Sequence, residues 1–338
     1  MDMETDFLAG KHILITGHTG YLGSALTSRL AVSRVAELKL LSRQPDSWHL
    51  RDSTTKLTYL KGDVTQPHTW PPALDGVDYV FHLAALEINR DHFDPYADLN
   101  ANFMAVMHML RACSERKNFP RIIFSSSANI AGMAHSLPVN ESAPDDPCSI
   151  WSLHKLLAEQ YLAYYAKHES MQAISLRLAN VYGPTSNSHA YCNMTLNRVT
   201  YNAVAEGKMG LYPNKACLRD FLHIDDAIRA LILAARSVQR MPRQNYFYVG
   251  SGEGVSFETA LDQIKKSILK RLGQEVIIQF QDRRLDPLEM RSFVADPSAF
   301  MKAADWTPLV RVNRGLDENV KYAIDLHRRS TRSRSSGV

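Results

Sequence analysis

Apolar residues fall in short, nearly continuous runs that alternate with longer stretches of helical spacing. KHILITG (11–17) is β-branched and ends in glycine, which predicts a buried strand. YLGSALTSRLAVS (21–33) follows with Leu22, Ala25, Leu26, Arg29 and Leu30 on neighbouring turns, the signature of a helix. LKLLSR (38–43), LTYLKGDV (57–64), VDYVFHLAA (77–85), RIIFSSSA (121–128) and ISLRLANVYG (174–183) predict five more strands. The run at 77–85 is almost wholly apolar, as a strand covered on both faces should be. ANFMAVMHMLRACSERK (101–117) and WSLHKLLAEQYLAYYAKH (151–168) predict long helices.

Strands alternating with helices imply βαβ units and an α/β fold with a doubly wound parallel sheet. Right-handed crossovers put every strand's C-terminal end on one edge, where such sheets bind ligands. Gly17, Arg43, Asp63, Ala84, Ser127 and Asn180 all end a strand or follow one. Beyond 183 the pattern loosens. A helix is expected at 194–207, a strand end and helix at 220–237, a strand at 245–252 and a helix at 256–272. This divides the chain into a main domain, 1–183, rejoined by about 218–252. A smaller C-terminal α+β substrate lobe takes 184–217 and 253–327. The last stretch, RRSTRSRSSGV (328–338), reads as a disordered basic tail.

The sequence between the first strand and the first helix reads Gly17-His18-Thr19-Gly20-Tyr21-Leu22-Gly23. The first glycine permits a tight turn, the second lets backbone approach a pyrophosphate, and the third lets helix and strand pack closely. The helix N-terminus then offers free N–H groups and a positive dipole end to the phosphates. Three glycines in the first βαβ unit therefore indicate a Rossmann-type dinucleotide site. An NAD-specific site ordinarily carries an acid at the end of the second strand, for the ribose 2′-hydroxyl. Here that strand ends Leu41-Ser42-Arg43, and arginine is the partner of a 2′-phosphate. The cofactor expected is NADP or NAD, with Arg43 tipping the choice toward NADP.

Composition removes other classes. The 338 residues carry 39 Lys+Arg against 35 Asp+Glu, a net +4. Arg328, Arg329, Arg332 and Arg334 account for all of it, so the body is neutral, unlike a nucleic-acid binder. The four cysteines, Cys113, Cys148, Cys192 and Cys217, show no metal-ligand spacing, and the histidines form no H-x-x-x-H pair. No bound metal is expected. Reduced thiols, no signal peptide and no apolar run of about 20 residues predict a cytoplasmic protein that neither spans nor anchors to a membrane.

Several motifs occur in order along 11–325. They are the G-x-x-G-x-x-G loop, Gly62-Asp63-Val64, His82-Leu83-Ala84-Ala85 and Phe124-Ser125-Ser126-Ser127-Ala128. Arg177-Leu178-Ala179-Asn180-Val181-Tyr182-Gly183-Pro184, Arg219-Asp220-Phe221-Leu222-His223-Ile224-Asp225-Asp226, Val294-Ala295-Asp296 and Trp306-Thr307-Pro308 follow. Together they resemble the extended short-chain dehydrogenases/reductases of the NAD(P)-dependent nucleotide-sugar epimerase and dehydratase group. The resemblance implies hydride transfer between a sugar carbon and the nicotinamide. It implies that Gly17, Thr19, Gly20, Tyr21, Leu22 and Gly23 hold the pyrophosphate, and that Asp63 and Val64 contact adenine. Leu83, Ala84 and Ala85 would line the cofactor channel, with Asn100 nearby and Lys155 on the nicotinamide ribose. Ser127 would bond the sugar oxygen. Glu87, Asn129, Asn180, Arg219 and Arg291 would meet the nucleotide sugar. The helices near 101–117 and 151–168 would pair across a homodimer axis.

In that group a tyrosine one helical turn before the lysine moves the hydroxyl proton. Position 151 is tryptophan, whose indole N–H only donates. Three explanations stay open. Another group moves the proton, with His154 or Glu87 as candidates and Ser127 needing a base behind it. Alternatively the chain binds cofactor and sugar without turnover, as a sensor or partner subunit, or the tryptophan is engineered. The Asp-Glu pair that dehydratases carry after the serine is replaced by Ala128-Asn129, which leaves epimerisation or keto-sugar reduction. Asp225 is expected to cap the following helix, His82 to be structural, and Tyr161, Tyr164 and Tyr165 to pack.

Overall fold

The computed structural model describes residues 4–44, 48–50, 52–86, 93–134, 136–212, 215–240, 245–280, 285 and 287–335. In the first half, β1 (His12–Thr16), α1 (Tyr21–Ala31), β2 (Glu37–Ser42), β3 (Lys56–Lys61), a short α2 (Trp70–Ala73) and β4 (Tyr79–His82) come first. A helical run follows, made of α3 (Pro95–Leu99), a π-helical turn (Asn100–Met104) and α4 (Ala105–Ser114). β5 (Arg121–Ser127), α5 (Ile150–His168) and β6 (Ala173–Leu178) complete it. The second half contains β7 (Asn180–Tyr182), α6 (Ser188–Tyr191), α7 (Thr195–Glu206), β8 (Lys208–Leu211), β9 (Leu218–His223) and α8 (Ile224–Ser237). It ends with β10 (Tyr246–Val249), β11 (Gly254–Ser256), α9 (Phe257–Leu272), β12 (Ile277–Phe280), α10 (Pro287–Met290), α11 (Ser298–Ala304) and α12 (Val312–Ser335).

Seven strands form one parallel sheet in the order β10-β6-β5-β4-β1-β2-β3. The order reverses at β1, so the crevice between β1 and β4 is the switch point where such sheets open for a ligand. Alternation along β1 separates the two faces. Ile13 and Ile15 join the hydrophobic core that holds α1 and α8. Leu14 joins the opposite core with Trp70, Met109 and Leu162. The lobe has its own core, built from α7, α9, α12 and the small sheets β12-β8 and β11-β9-β7.

Four expectations are corrected. The stretch 174–183 is not one strand. Ala179 N–H still donates to the Val249 carbonyl, but the next residue pairs with Phe221 of β9, so the chain changes sheets. The helix expected from 101 starts at Pro95, because the Asp94 carboxylate caps the N–H groups of Tyr96 and Ala97. The cap of α8 is His223, whose Nδ1 accepts the Asp225 N–H; Asp225 and Asp226 lie in the first turn. Asp226 is buried and takes the N–H groups of Leu309 and Val310. Finally, residues 328–335 are not disordered: they continue α12. The apolar stripe of Val312, Leu316, Val320 and Ile324 docks the helix on the lobe core. The hydroxyls of Ser330 and Thr331 then bond the His327 carbonyl, so the last turns follow from docked ones.

Candidate active site

The phosphate turn is built by close backbone approach. Gly17 has φ +71°, and a Cβ there would sit 2.8 Å from the Ala84 backbone. A Cβ on Gly23 would sit 2.1 Å from the Gly17 carbonyl oxygen, which is why only glycine serves at both places. Gly20 is the extended N-cap of α1, leaving the first-turn N–H groups without a carbonyl one turn earlier. Thr16 Oγ1 accepts the N–H groups of Leu83 and Ala84, each at 3.2 Å, and lies 2.8 Å from His82 Nδ1. With both lone pairs used, the hydroxyl proton goes to Nδ1, which makes His82 a neutral acceptor. Burial, with the charge of Lys155, pushes the His82 pKa down to about 3. His82 is structural: it takes the hydroxyl proton of Thr16, whose oxygen fastens Leu83 and Ala84 to the end of β1.

This cradle fits a dinucleotide pyrophosphate, since side chains are excluded from it and backbone donors face it. The side chains of Tyr21 and Leu22 are engaged elsewhere. The Tyr21 hydroxyl turns away to the Gly183 carbonyl at 2.8 Å, and Leu22 packs on the core. The Thr19 carbonyl is taken by Asn187 Nδ2 at 2.7 Å, and an opening of about 410 Å³ lies there, among Asn187, His189, Ala190 and Asn193. Arg43 is exposed just beyond β2. Asp63 Oδ1 accepts the Thr65 N–H and hydroxyl, each at 2.9 Å, while the Val64 carbonyl receives Trp70 Nε1. The sequence reading missed the buried His18 ring against Tyr59 and Trp48, with centroids 5.7 and 6.4 Å away. No periodic signal marks that cluster.

Ser127 ends β5, and its oxygen accepts the Asn129 N–H at 3.1 Å, capping a 3-10 turn. The Ser149–Ser152 capping box starts α5 and so sets the positions of Trp151, His154 and Lys155. Trp151 Nε1 donates to the Leu86 carbonyl at 3.2 Å. Lys155 is buried, donates to the Ser125 carbonyl at 3.3 Å, and has Nζ 4.8 Å from the Phe124 ring and 5.7 Å from the Trp151 ring. Desolvation lowers its pKa to about 8 against the pull of Asp98 and Glu159. His154 is turned elsewhere: Nδ1 lies 2.5 Å from Asp98 Oδ1, and Asn102 holds the other oxygen of Asp98. Asn100 is exposed on the π-helical turn. Glu87 lies outside the described residues.

The expected substrate residues gather on one seam but are bound within the chain. Arg291 is buried and donates to the Gly132 carbonyl at 2.5 Å, to Asn129 Oδ1 at 2.7 Å and to the Ala128 carbonyl. Burial and the neighbouring Arg219 push its pKa down to about 10. Arg219 donates to the backbone carbonyls of Leu218, Glu289 and Arg291. Asn180 Nδ2 donates to the Asp220 carbonyl at 3.1 Å. Guanidinium groups withdrawn from water need acceptors, and carbonyls of the 3-10 turn after β5, of α10 and of the segment after it supply most of them. The sequence reading also missed the support beneath this seam. Asp220 receives the N–H groups of Ser251, Gly252 and Ala295. Arg177, fully buried, is clamped by Glu159 and Asp145.

A family model described as the NAD dependent epimerase/dehydratase family matches residues 13–250. The chain is 24% identical to the UDP-glucose 4-epimerase of Mycolicibacterium smegmatis, across 91% of this chain and 97% of that one. It is 23% identical to the dTDP-4-dehydro-6-deoxyglucose reductase of Escherichia coli, across 91% and 96%. Among solved structures it resembles an epimerase of Methanothermobacter thermautotrophicus, with TM-score 0.83, 21% identity and 97% of each chain covered. Among the described residues, no helix is long and apolar enough to cross a membrane.

Proposed function

The chain belongs to the NAD dependent epimerase/dehydratase family, and from that premise we propose that it is a nucleotide-sugar epimerase or keto-sugar reductase that works without the usual tyrosine. The observation that carries the reading is the shared sheet edge. The glycine turn, the pinned Leu83-Ala84 step, Ser127 and Lys155 all lie at C-terminal ends of β1, β4 and β5 or on the helix beside them. A bound nicotinamide supplies the hydride acceptor or donor. The chain's own residues do the rest. Gly17, Gly20 and Gly23 admit the pyrophosphate to the α1 N-terminus, and Asp63 and Val64 flank the adenine. Arg43 pairs with a 2′-phosphate, which favours NADP. Ser127, free to donate its hydroxyl proton, orients the sugar oxygen, and Lys155 holds the ribose. Arg219 and Arg291, with Asn129 and Asn180, meet the diphosphate by exchanging their carbonyl partners for phosphate oxygens. Ala128 and Asn129 supply no carboxyl to expel water, which sets dehydration aside.

The names of the relatives point to UDP- or dTDP-sugars as the first substrates to try. The test is turnover of nucleotide sugars and 4-keto-sugars with NAD and NADP, comparing the parent with Trp151→Tyr. Parent turnover that the tyrosine does not raise supports a different proton carrier. A silent parent and an active Trp151→Tyr variant support the second reading, a protein that binds cofactor and sugar without exchange. The indole donated to the Leu86 carbonyl favours that reading.

We also propose a cytoplasmic homodimer. Ile150, Leu153, Tyr161 and Tyr164 are exposed at helical spacing along one stripe of α5. A matching stripe on a second copy covers them.

A further inference from the structure

With tryptophan at 151, the proton of the reacting hydroxyl needs another carrier, and most groups around the position are committed. The indole N–H is spent on the Leu86 carbonyl. The His154 ring is turned onto Asp98, buried on the flank of α5 that packs against α3. His82 is kept neutral by its bond from Thr16 and lies under the cofactor channel. Ser127 can donate or accept through one hydroxyl but has no carboxylate or imidazole bonded behind it among the described residues.

Lys155 differs from all of these. Its amine sits at the end of β5, against the Ser125 carbonyl, between an aromatic ring of the strand and the indole. We propose that Lys155 itself exchanges the hydroxyl proton of the reacting sugar carbon, directly or through one bridging oxygen. This rests on the reading above that the chain turns over a nucleotide sugar. In the oxidising direction a bound oxidised nicotinamide would supply the acceptor for the hydride of the breaking C–H bond. The O–H bond breaks, its proton joins the neutral amine of Lys155, and a C=O bond forms. In the reducing direction the ammonium returns the proton.

The surroundings explain why this amine can do so. Two aromatic rings and the sheet strip it of water, and a desolvated ammonium gives up its proton more readily than an exposed one. The groups facing it are His82 from β4, Asp98 from α3 and Glu159 from its own helix. His82 is neutral, Asp98 shares its charge with His154 and Asn102, and Glu159 is held by Arg177. Neither anion is therefore bonded to the amine. Burial wins, and the amine titrates near 8, where both protonation states are populated at neutral to mildly alkaline pH.

The test uses the full chain and Lys155→Arg, which keeps the cation but cannot release a proton. Cofactor affinity is read by fluorescence, turnover by steady-state kinetics from pH 6 to 10, and the amine by NMR of ¹³C-methylated lysines. We expect kcat in Lys155→Arg to fall at least about 100-fold, the usual weight of an acid–base group, and by far more than cofactor affinity falls from losing the bond to the ribose. We also expect the parent kcat profile to bend near pH 8, with one methyl resonance titrating there and absent from the variant. Turnover that survives Lys155→Arg, or a Lys155 resonance titrating near 10, overturns this inference and leaves the proposed activity standing. A parent that binds cofactor yet turns over no sugar overturns both.

Discussion

At the scale of single residues, the site depends on groups whose identity was plain in the sequence and whose partners were not. Gly17 and Gly23 could be read from spacing alone, because turn geometry dictates them, whereas Lys155 stood out only through the family resemblance. The pairing of His154 with Asp98 joins residues 56 apart in the chain, and the clamp of Arg177 by Asp145 and Glu159 is similar in kind. No local pattern announces such contacts. Gly23→Ala tests the turn. Its methyl would need 2.1 Å of space that the Gly17 carbonyl occupies, so the turn must open. Cofactor affinity should fall at least tenfold, with a stability loss of about 1–3 kcal/mol, both read by titration and urea unfolding. Unchanged affinity would mean that the turn does not hold the pyrophosphate. His82 gives a pH test. Its folded pKa is lowered to about 3, so the unfolded chain binds the proton first as pH falls. The stability it contributes is complete above about pH 6.5 and is lost between there and pH 3, at up to about 1.4 kcal/mol per pH unit. His82→Gln should flatten that part of the stability profile in urea unfolding, and an identical slope in both proteins would contradict the assignment.

At the scale of elements, periodicity located nearly every strand and helix of the main sheet but misplaced several ends. Caps explain the misses. Asp94 starts the α3 run earlier than the apolar spacing suggests, and His223 rather than an aspartate opens α8. The passage from β6 to β7 reads as one apolar run because both halves are strands, and only the pairing with β9 separates them. The end of α12 was misread for a different reason: a polar, arginine-rich stretch carries no apolar stripe, yet it continues a helix already docked by Leu316 and Val320. Those last turns contribute little of their own. Ending the chain after His327 should change unfolding free energy by less than about 1 kcal/mol, as for other exposed segments, measured by chemical denaturation. A larger loss would assign the tail a structural role.

At the scale of the whole molecule, the α/β class was legible because a parallel sheet needs continuous apolar strands and regular crossovers. The lobe was legible only in outline: its helices at 194–207 and 256–272 show a period, but the short paired strands and the docking of α12 that complete its separate core do not. The stripe on α5 belongs to this scale too. Replacing Leu153 and Tyr164 together with glutamate places charges on a face that a second copy would bury. The assembly should fall to a monomer in light scattering, while cofactor affinity is retained. A parent that is already monomeric would remove the dimer from the picture.

The phosphate turn is stitched to the lobe at several points: Tyr21 to the Gly183 carbonyl, Ser24 to Thr185, and Asn187 to the Thr19 carbonyl. The floor under the pyrophosphate is thus shared property of the two halves. Any shift of 183–187 therefore carries the start of α1 with it, because the two are joined by side-chain bonds across more than 150 residues of chain.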